Sequence, residues 1–259
     1  MKKKASVFPK IYLGVILALT YVPIIIVIIY SFNASKSATA WGGWSLDWYA
    51  KLFRNADLFD ALKNSVVLAL MSSLAAGVIG TAGAVGMARC KSRLAGAVEY
   101  VSTLPIMRPE IILGMVFMAF FTLLGLKFGM LTLFLGHTSF CIPYVYMIVK
   151  ARLVGLDKSL PEAARDLGAS GFRAFWDVTL PLIMPGILSG MLLAFAMSLD
   201  DVVISIFVTG ARTVTLPVKI YTQIKTGITP EINALCTLML LATFVLVTLS
   251  GILGKKRNS

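Results

Sequence analysis

Polar residues punctuate this chain, and the long apolar runs between them organise it. Ile11–Phe32, Asn64–Ala88, Phe128–Val149 and Ile232–Gly254 contain no Asp, Glu, Lys or Arg. About 20 apolar residues in a helix cross ~30 Å of hydrocarbon, so each run predicts a transmembrane helix. Two further spans are less clean. Ile111–Leu126 is uncharged but short, and the third span reaches full length only by starting near Ala97, past Glu99 and the prolines Pro105 and Pro109. The fifth begins at Val178, passes Leu199, and continues through Asp200 and Asp201 to about Thr209. The pattern predicts an all-α membrane protein with six transmembrane helices, at about 11–32, 64–88, 97–124, 129–149, 182–208 and 232–254. They form one transmembrane domain over 1–259, with a cytoplasmic loop at 150–181.

Orientation follows from Lys and Arg in the short loops. With the N-terminus inside, the inner segments hold fifteen of them and the outer loops eight, with Arg108 inside the third span. Both termini are therefore expected in the cytoplasm. The composition fits: 58% of residues are hydrophobic and 14% charged, against roughly 25% charged in soluble domains. The net charge of +12 raises the question of nucleic acid, but much of the excess lies where basic loops anchor topology, so no nucleic-acid partner is expected. The lysines before the first span and Ala38-Thr39-Ala40 after it mimic a secretory signal. The 22-residue apolar run exceeds a signal core of about 7–15 residues, so an uncleaved anchor is expected. Cys90, Cys141 and Cys236 are too scattered to suggest a disulfide or metal site.

The outer loop between the first two spans carries Trp41, Trp44, Trp48 and Tyr49, residues suited to the membrane interface, and an amphipathic stretch over Leu46–Phe59. The second span carries Gly77, Gly80, Gly83 and Gly86, a small-residue face for close packing inside the bundle or against a partner. His137, the single histidine, reads as a hydrogen-bonded packing residue, with a proton relay as the alternative.

The cytoplasmic loop has its own grammar. Ser159 is a candidate N-cap, Pro161 is tolerated in a first turn, and Glu162 suits the positive end of a helix dipole over Leu160–Leu167. Gly168 breaks or caps that helix, and a second one is expected over Ser170–Asp177, ending towards Pro181. Glu162-Ala163-Ala164, three residues, Gly168, nine residues, Val178, one residue, Leu180-Pro181 resembles the EAA loop of ABC importer permeases. Val178 in place of isoleucine is the only departure. The resemblance implies the MetI-like, type I ABC importer permease fold. It also implies that Glu162, Ala163, Ala164, Asp166, Gly168, Leu180 and Pro181 couple the permease to an ATPase. No GxxxxGK[ST] phosphate loop occurs in the chain. This subunit is therefore expected to have no catalytic residues, metal or cofactor of its own. ATP and magnesium are expected on a dimer of partner subunits, alongside a homologous permease, a periplasmic binding protein and the bilayer of a bacterial inner membrane.

The resemblance extends to spermidine/putrescine permeases of the PotC type. It is carried by Tyr21-Val22-Pro23-Ile24-Ile25, Tyr30-Ser31-Phe32-Asn33, Ser198-Leu199-Asp200-Asp201-Val202-Val203, Phe207-Val208-Thr209-Gly210 and Leu216-Pro217-Val218-Lys219-Ile220-Tyr221. It implies polyamine cargo, with ferric iron, a phosphonate or a quaternary amine as alternatives. An ion-coupled secondary transporter is the reading from another class. Ionisable groups within spans are costly and mark pathways or partners, which singles out Glu110, Asp200 and Asp201. Adjacent aspartates on a helix point about 100° apart, so one is expected on the path and the other as a cap or partner. Arg108 beside Glu110 complicates a purely cationic path.

Overall fold

The structure, a computed structural model, describes residues 7–36, 40–89, 109–157, 159–226 and 230–241, with Gly96, Tyr100 and Phe244. The described residues are helical apart from short connections. In chain order they form α1 (Val7–Tyr30), α2 (Asp47–Leu52), α3 (Ala56–Arg89), α4 (Glu110–Leu123), α5 (Met130–Val154), α6 (Ser159–Asp166) and α7 (Gly171–Ala174). A single wide π turn (Phe175–Thr179) leads into α8 (Leu180–Asp200), followed by α9 (Val203–Val208) and α10 (Leu216–Thr226). A last apolar helix, α11, covers Pro230–Leu241.

Among the described residues, four helical runs are long and apolar enough to cross a membrane: Lys10–Tyr30, Ala56–Ala88, Met130–Val154 and Gly171–Asp200. The third and sixth expected spans coincide in part with the shorter apolar helices α4 and α11. Residues 101–108 and 245–259, where those spans and the C-terminal lysines were expected to continue, lie outside the described residues, as do Cys90, Glu99, Arg108 and Lys158.

The chain divides into two compact units, one made of residues up to Leu58 and from Ile220, the other of Phe59–Lys219. In the first, α1 leaves its apolar side chains exposed, Ile11, Leu19 and Tyr21 among them. The loop after α1 is built on Asn33, whose side chain is fully buried. Asn33 Nδ2 donates to the Ala40 carbonyl (2.7 Å), and its Oδ1 accepts from the amides of Ser35 (3.1 Å) and Gly42 (2.7 Å). Trp48 Nε1 donates to the Asn33 carbonyl at 2.7 Å. Trp41 packs edge-on to Trp44, and Phe32 lies between Trp44 and Tyr49. The amphipathic stretch expected over Leu46–Phe59 is not one helix. It turns at Phe53–Asn55, where Asn55 Oδ1 accepts from the Leu58 amide (3.3 Å) and starts α3.

The second unit holds the core. Leu68, Ala76 and Ala84 of α3 meet Leu133, Cys141, Val145 and Val149 of α5, and Ile183, Ile187 and Ala194 of α8, with Phe121, Ile204 and Val208 closing the cluster. Val145 is gripped from two sides. A Cβ built on Gly80 of α3 would lie 3.0 Å from the Val145 Cβ, and one on Gly190 of α8 would lie 3.2 Å from the Val145 Cα. Two glycines thus admit one β-branched side chain from either side, the close approach that membrane helices use when hydrophobic burial gives them no net drive. Of the small-residue face expected on the second span, Gly77 meets Met191 and Gly80 meets α5, while Gly86 meets nothing within 4 Å.

The fifth span, expected as one run to about Thr209, ends as a helix at Asp200. Asp201 turns to an extended conformation (φ −67°, ψ 124°). Its carboxylate then accepts from the amides of Ile204 (3.2 Å) and Ser205 (2.8 Å). A carboxylate that satisfies the first free amides of a new helix competes with continuation of the old one.

Candidate functional site

The cytoplasmic loop is set by three local decisions. At its start, Asp157 Oδ1 accepts from the Ser159 amide at 2.9 Å. The residue expected to cap, Ser159, is instead the first helical residue, and the capping carboxylate lies two residues earlier. The backbone and side chain of Ser159 hold the Asp157 carboxyl below its ordinary range. At the end of α6, the Ala169 amide donates to the Ala164 carbonyl (3.0 Å) and the Gly168 amide to that of Arg165 (2.9 Å). This pair of bonds defines a Schellman ending, and it requires a left-handed residue at the position of Gly168, whose φ is +91°. Ser170 then opens the next helix, its hydroxyl accepting from the Arg173 amide at 3.3 Å.

That second helix does not stop near Asp177 as expected. It runs through the π turn into α8, so Gly171–Asp200 is one element of 30 residues. Pro181 has no amide hydrogen and its ring crowds the carbonyl of Asp177 four residues back. The wider turn at Phe175–Thr179 falls at that crowded point. Glu162, Ala163, Asp166 and Gly168 are exposed, Ala164 is half-buried, and Leu180 and Pro181 lie past the turn at the head of α8. The surface also carries residues that sequence reading passed over. Leu167 is 90% exposed, Phe172 76% and Trp176 58%. Phe172 stacks on Trp176 with ring centres 6.2 Å apart. The signal was available: two aromatics four residues apart in a segment otherwise suited to water.

Glu110, Asp200 and Asp201, far apart in sequence, line one cleft of about 470 Å³ together with Tyr144 and Phe140. Tyr144 had no distinguishing mark in the sequence, because an aromatic in an apolar span is ordinary. The two aspartates part company. Asp200 is exposed to the cleft, whereas the Asp201 side chain is 5% exposed and turned into the cap of α9. Behind the cap lies a buried chain of polar groups. His137 Nδ1 is 2.8 Å from Ser198 Oγ, which is 3.0 Å from Ser72 Oγ; His137 Nε2 is 3.0 Å from Ser205 Oγ and 3.4 Å from Asp201 Oδ2.

An all-helical chain with four membrane-length apolar runs, an acidic cleft and an exposed helical elbow is a multi-pass membrane protein of the permease type. Residues 76–256 match the family of binding-protein-dependent transport system inner membrane components, and the chain belongs to that family. It is 39% identical over 247 residues to the spermidine/putrescine transport system permease protein PotC of Haemophilus influenzae, covering 95% of this chain and 96% of that one. To the putrescine transport system permease protein PotI of Escherichia coli K12 it is 41% identical over 227 residues, covering 85% and 81%. Its fold matches a bacterial ABC transporter involved in import of the acidic polysaccharide alginate, with a TM-score of 0.74 at 14% identity over 96% of this chain and 95% of that one. An inward-facing MetNI methionine ABC transporter gives 0.62 at 19% identity, over 75% and 92%. The fold is thus the MetI-like permease fold that the loop motif implied.

Proposed function

We propose that this chain is a membrane subunit of an ATP-driven, binding-protein-dependent importer of polyamines in a bacterial inner membrane. Six spans complete the reading, with α4 and α11 as the described parts of the third and sixth and both termini in the cytoplasm. The chain pairs with a homologous permease. ATP and magnesium bind a dimer of separate ATPase subunits that grips α6 and the Phe172–Trp176 surface, and a periplasmic binding protein delivers the cargo. One observation carries this reading: the helix that leaves the exposed elbow ends on the acidic cleft. Leu180–Asp200 has 21 residues, about 30 Å at 1.5 Å per residue, so a displacement at the loop is delivered to Asp200 by a single element.

The names of the relatives support the cargo class, and the chemistry of the cleft agrees with it. Polyamines are chains of ammonium groups joined by methylenes. Carboxylates at Glu110 and Asp200 match the charges, and the faces of Tyr144 and Phe140 suit both cation and alkyl segments. The test is uptake of labelled spermidine into proteoliposomes that hold the assembled transporter. Uptake is expected to need ATP on the ATPase side and the binding protein on the other. Uptake driven by a proton or sodium gradient alone would refute the importer reading. Preference for ferric iron, a phosphonate or a quaternary amine would refute the polyamine assignment only.

A further inference from the structure

The buried polar chain around His137 has a direction, and the direction gives it a task. Ser72 Oγ donates to the Leu68 carbonyl at 2.7 Å. With its one hydrogen so used, Ser72 accepts from Ser198 (3.0 Å), and Ser198 in turn accepts from His137 Nδ1–H (2.8 Å). The proton on Nδ1 is thereby assigned by the hydrogen bonds. With Nδ1 protonated, the Nε2 lone pair accepts from the Ser205 hydroxyl at 3.0 Å, while Asp201 Oδ2, 3.4 Å from Nε2, is held by the Ser205 amide at 2.8 Å. Ser72, His137, Ser198 and Ser205 are each buried, His137 fully so. Four polar side chains buried within membrane helices are costly unless they satisfy one another, and here they do so across α3, α5, α8 and α9.

We propose that His137 is a positioning residue for the acidic cleft: it holds Asp201 turned inward at the α8–α9 break, so that Asp200 is the carboxylate presented to cargo. Two backbone amides cap α9 through Asp201; one of them belongs to Ser205, whose hydroxyl the histidine fixes, so His137 acts on the carboxylate through Ser205. The anchor is remote from the break, because Ser72 ties the histidine to α3. The break is therefore registered against α3 and α5, and whichever aspartate faces the cargo is decided two helices away. This inference rests on the polyamine-importer reading only for its transport assay.

The test compares His137→Phe, His137→Asn and His137→Gln in the assembled transporter in proteoliposomes. A Gln amide reaches towards the Nε2 position, where its Oε1 can accept from the Ser205 hydroxyl, whereas an Asn amide reaches only the Nδ1 side. His137→Phe and His137→Asn are expected to raise the spermidine concentration for half-maximal uptake about tenfold, the scale of one buried hydrogen bond left unmade. Maximal rate per transporter stays within about twofold, and His137→Gln recovers most of the loss. Equal half-saturation in all three, or a fall only in the amount of folded protein, would assign His137 to packing and overturn the proposal. A cargo-independent readout keeps the two readings separable. The maleimide labelling rate of Asp200→Cys should change when His137→Phe is added, and an unchanged rate would refute the positioning role even where transport is not of polyamines. Ser205→Ala, a small change expected to fold, should shift half-saturation in the same direction by a few-fold; no shift would exclude the Nε2 side of the network. If the wild-type transporter moves no polyamine, only the importer reading fails, and the labelling result still decides the role of His137.

Discussion

Gly168 offers the sharpest separation between conformational and steric demands in the coupling loop. Its φ of +91° is one that side chains with a Cβ rarely adopt, yet a Cβ built there meets nothing within 4 Å. Any penalty for substitution is therefore backbone strain, about 1–2 kcal/mol for an ordinary L-residue, less for Asn, and more for a β-branched residue. If the loop keeps its shape only against that strain, the fraction ready to dock falls roughly 5- to 30-fold for Gly168→Ala. The expected order of function is Gly above Asn, Asn above Ala, and Ala above Val, although Asn is larger than Ala. The assay is retention of the ATPase subunits on detergent-purified permease, followed by spermidine-dependent ATP hydrolysis in proteoliposomes. Membrane insertion should be equal across the series, because the two Schellman bonds lie outside the spans. An order that tracks side-chain size, with Asn below Ala, would refute the reasoning, as would full function of Gly168→Val.

Three further outcomes test the packing and the cleft. Gly190→Ala presses a methyl onto Val145 and should lower stability of the purified protein by about 1–3 kcal/mol; adding Val145→Ala should return part of the loss, and simple additivity in the thermal unfolding of the pair would contradict the pinch. Asp200→Asn should weaken uptake while leaving stability within about 0.5 kcal/mol, whereas Asp201→Ala should also lower the unfolding temperature because it removes a helix cap worth about 0.5–2 kcal/mol; the reverse pattern would swap their roles. Asn33→Ala removes three side-chain hydrogen bonds of roughly 1 kcal/mol each, so the loop before Trp48 should become sensitive to protease and its tryptophan fluorescence should shift, and an unchanged cleavage pattern would dismiss Asn33 as the anchor.

The features legible in the sequence were those written in local composition. Apolar runs without charge located three of the four long helices, and the fifth expected span, which runs on through two aspartates, located the other, because the bilayer leaves an unpaired backbone no alternative to a helix. The coupling loop was legible for the same kind of reason: Gly168 and Pro181 each have one dominant backbone consequence. Continuity around them was not legible. Pro181 reads as the end of a helix, but the chain widens to a π turn and goes on, a solution chosen by the packing of Ala174, Thr179 and Ile183 and not by any single residue. The opposite error occurred at Asp201. The apolar residues on either side favour one continuous span, and the break depends on a carboxylate whose partners are two amides just ahead, one of them on a serine held by a histidine sixty-four positions before the carboxylate. Tyr144 and Ser198 were missed because only a fold brings an ordinary residue beside a charged one. Cys141 and Val145 show the same limit in the core, since nothing in α5 alone says which of its faces is pinched.

The two discontinuities that the sequence did not show are also the places where the connecting helix can give. Within α8, the prolines at 181 and 185 lie in its first two turns, so the amide ladder is already incomplete next to the π turn. From Gly186 to Asp200 there is no proline, and Gly190 and Ala194 are buried against α5. A helix gripped along its middle and loosened at its lower end transmits displacement best by tilting as a rod about the Val145 contact. The upper end then moves with Ser198 and Asp200, while Asp201 stays beside His137 of α5, so the bonds of Ser198 to Ser72 and His137 are the ones that yield. Relative motion between these two adjacent carboxylates has to be absorbed at Asp201 and Val202, the two residues between α8 and α9. On the proposed function, loop displacement is converted there into a change in how Asp200 faces the cleft.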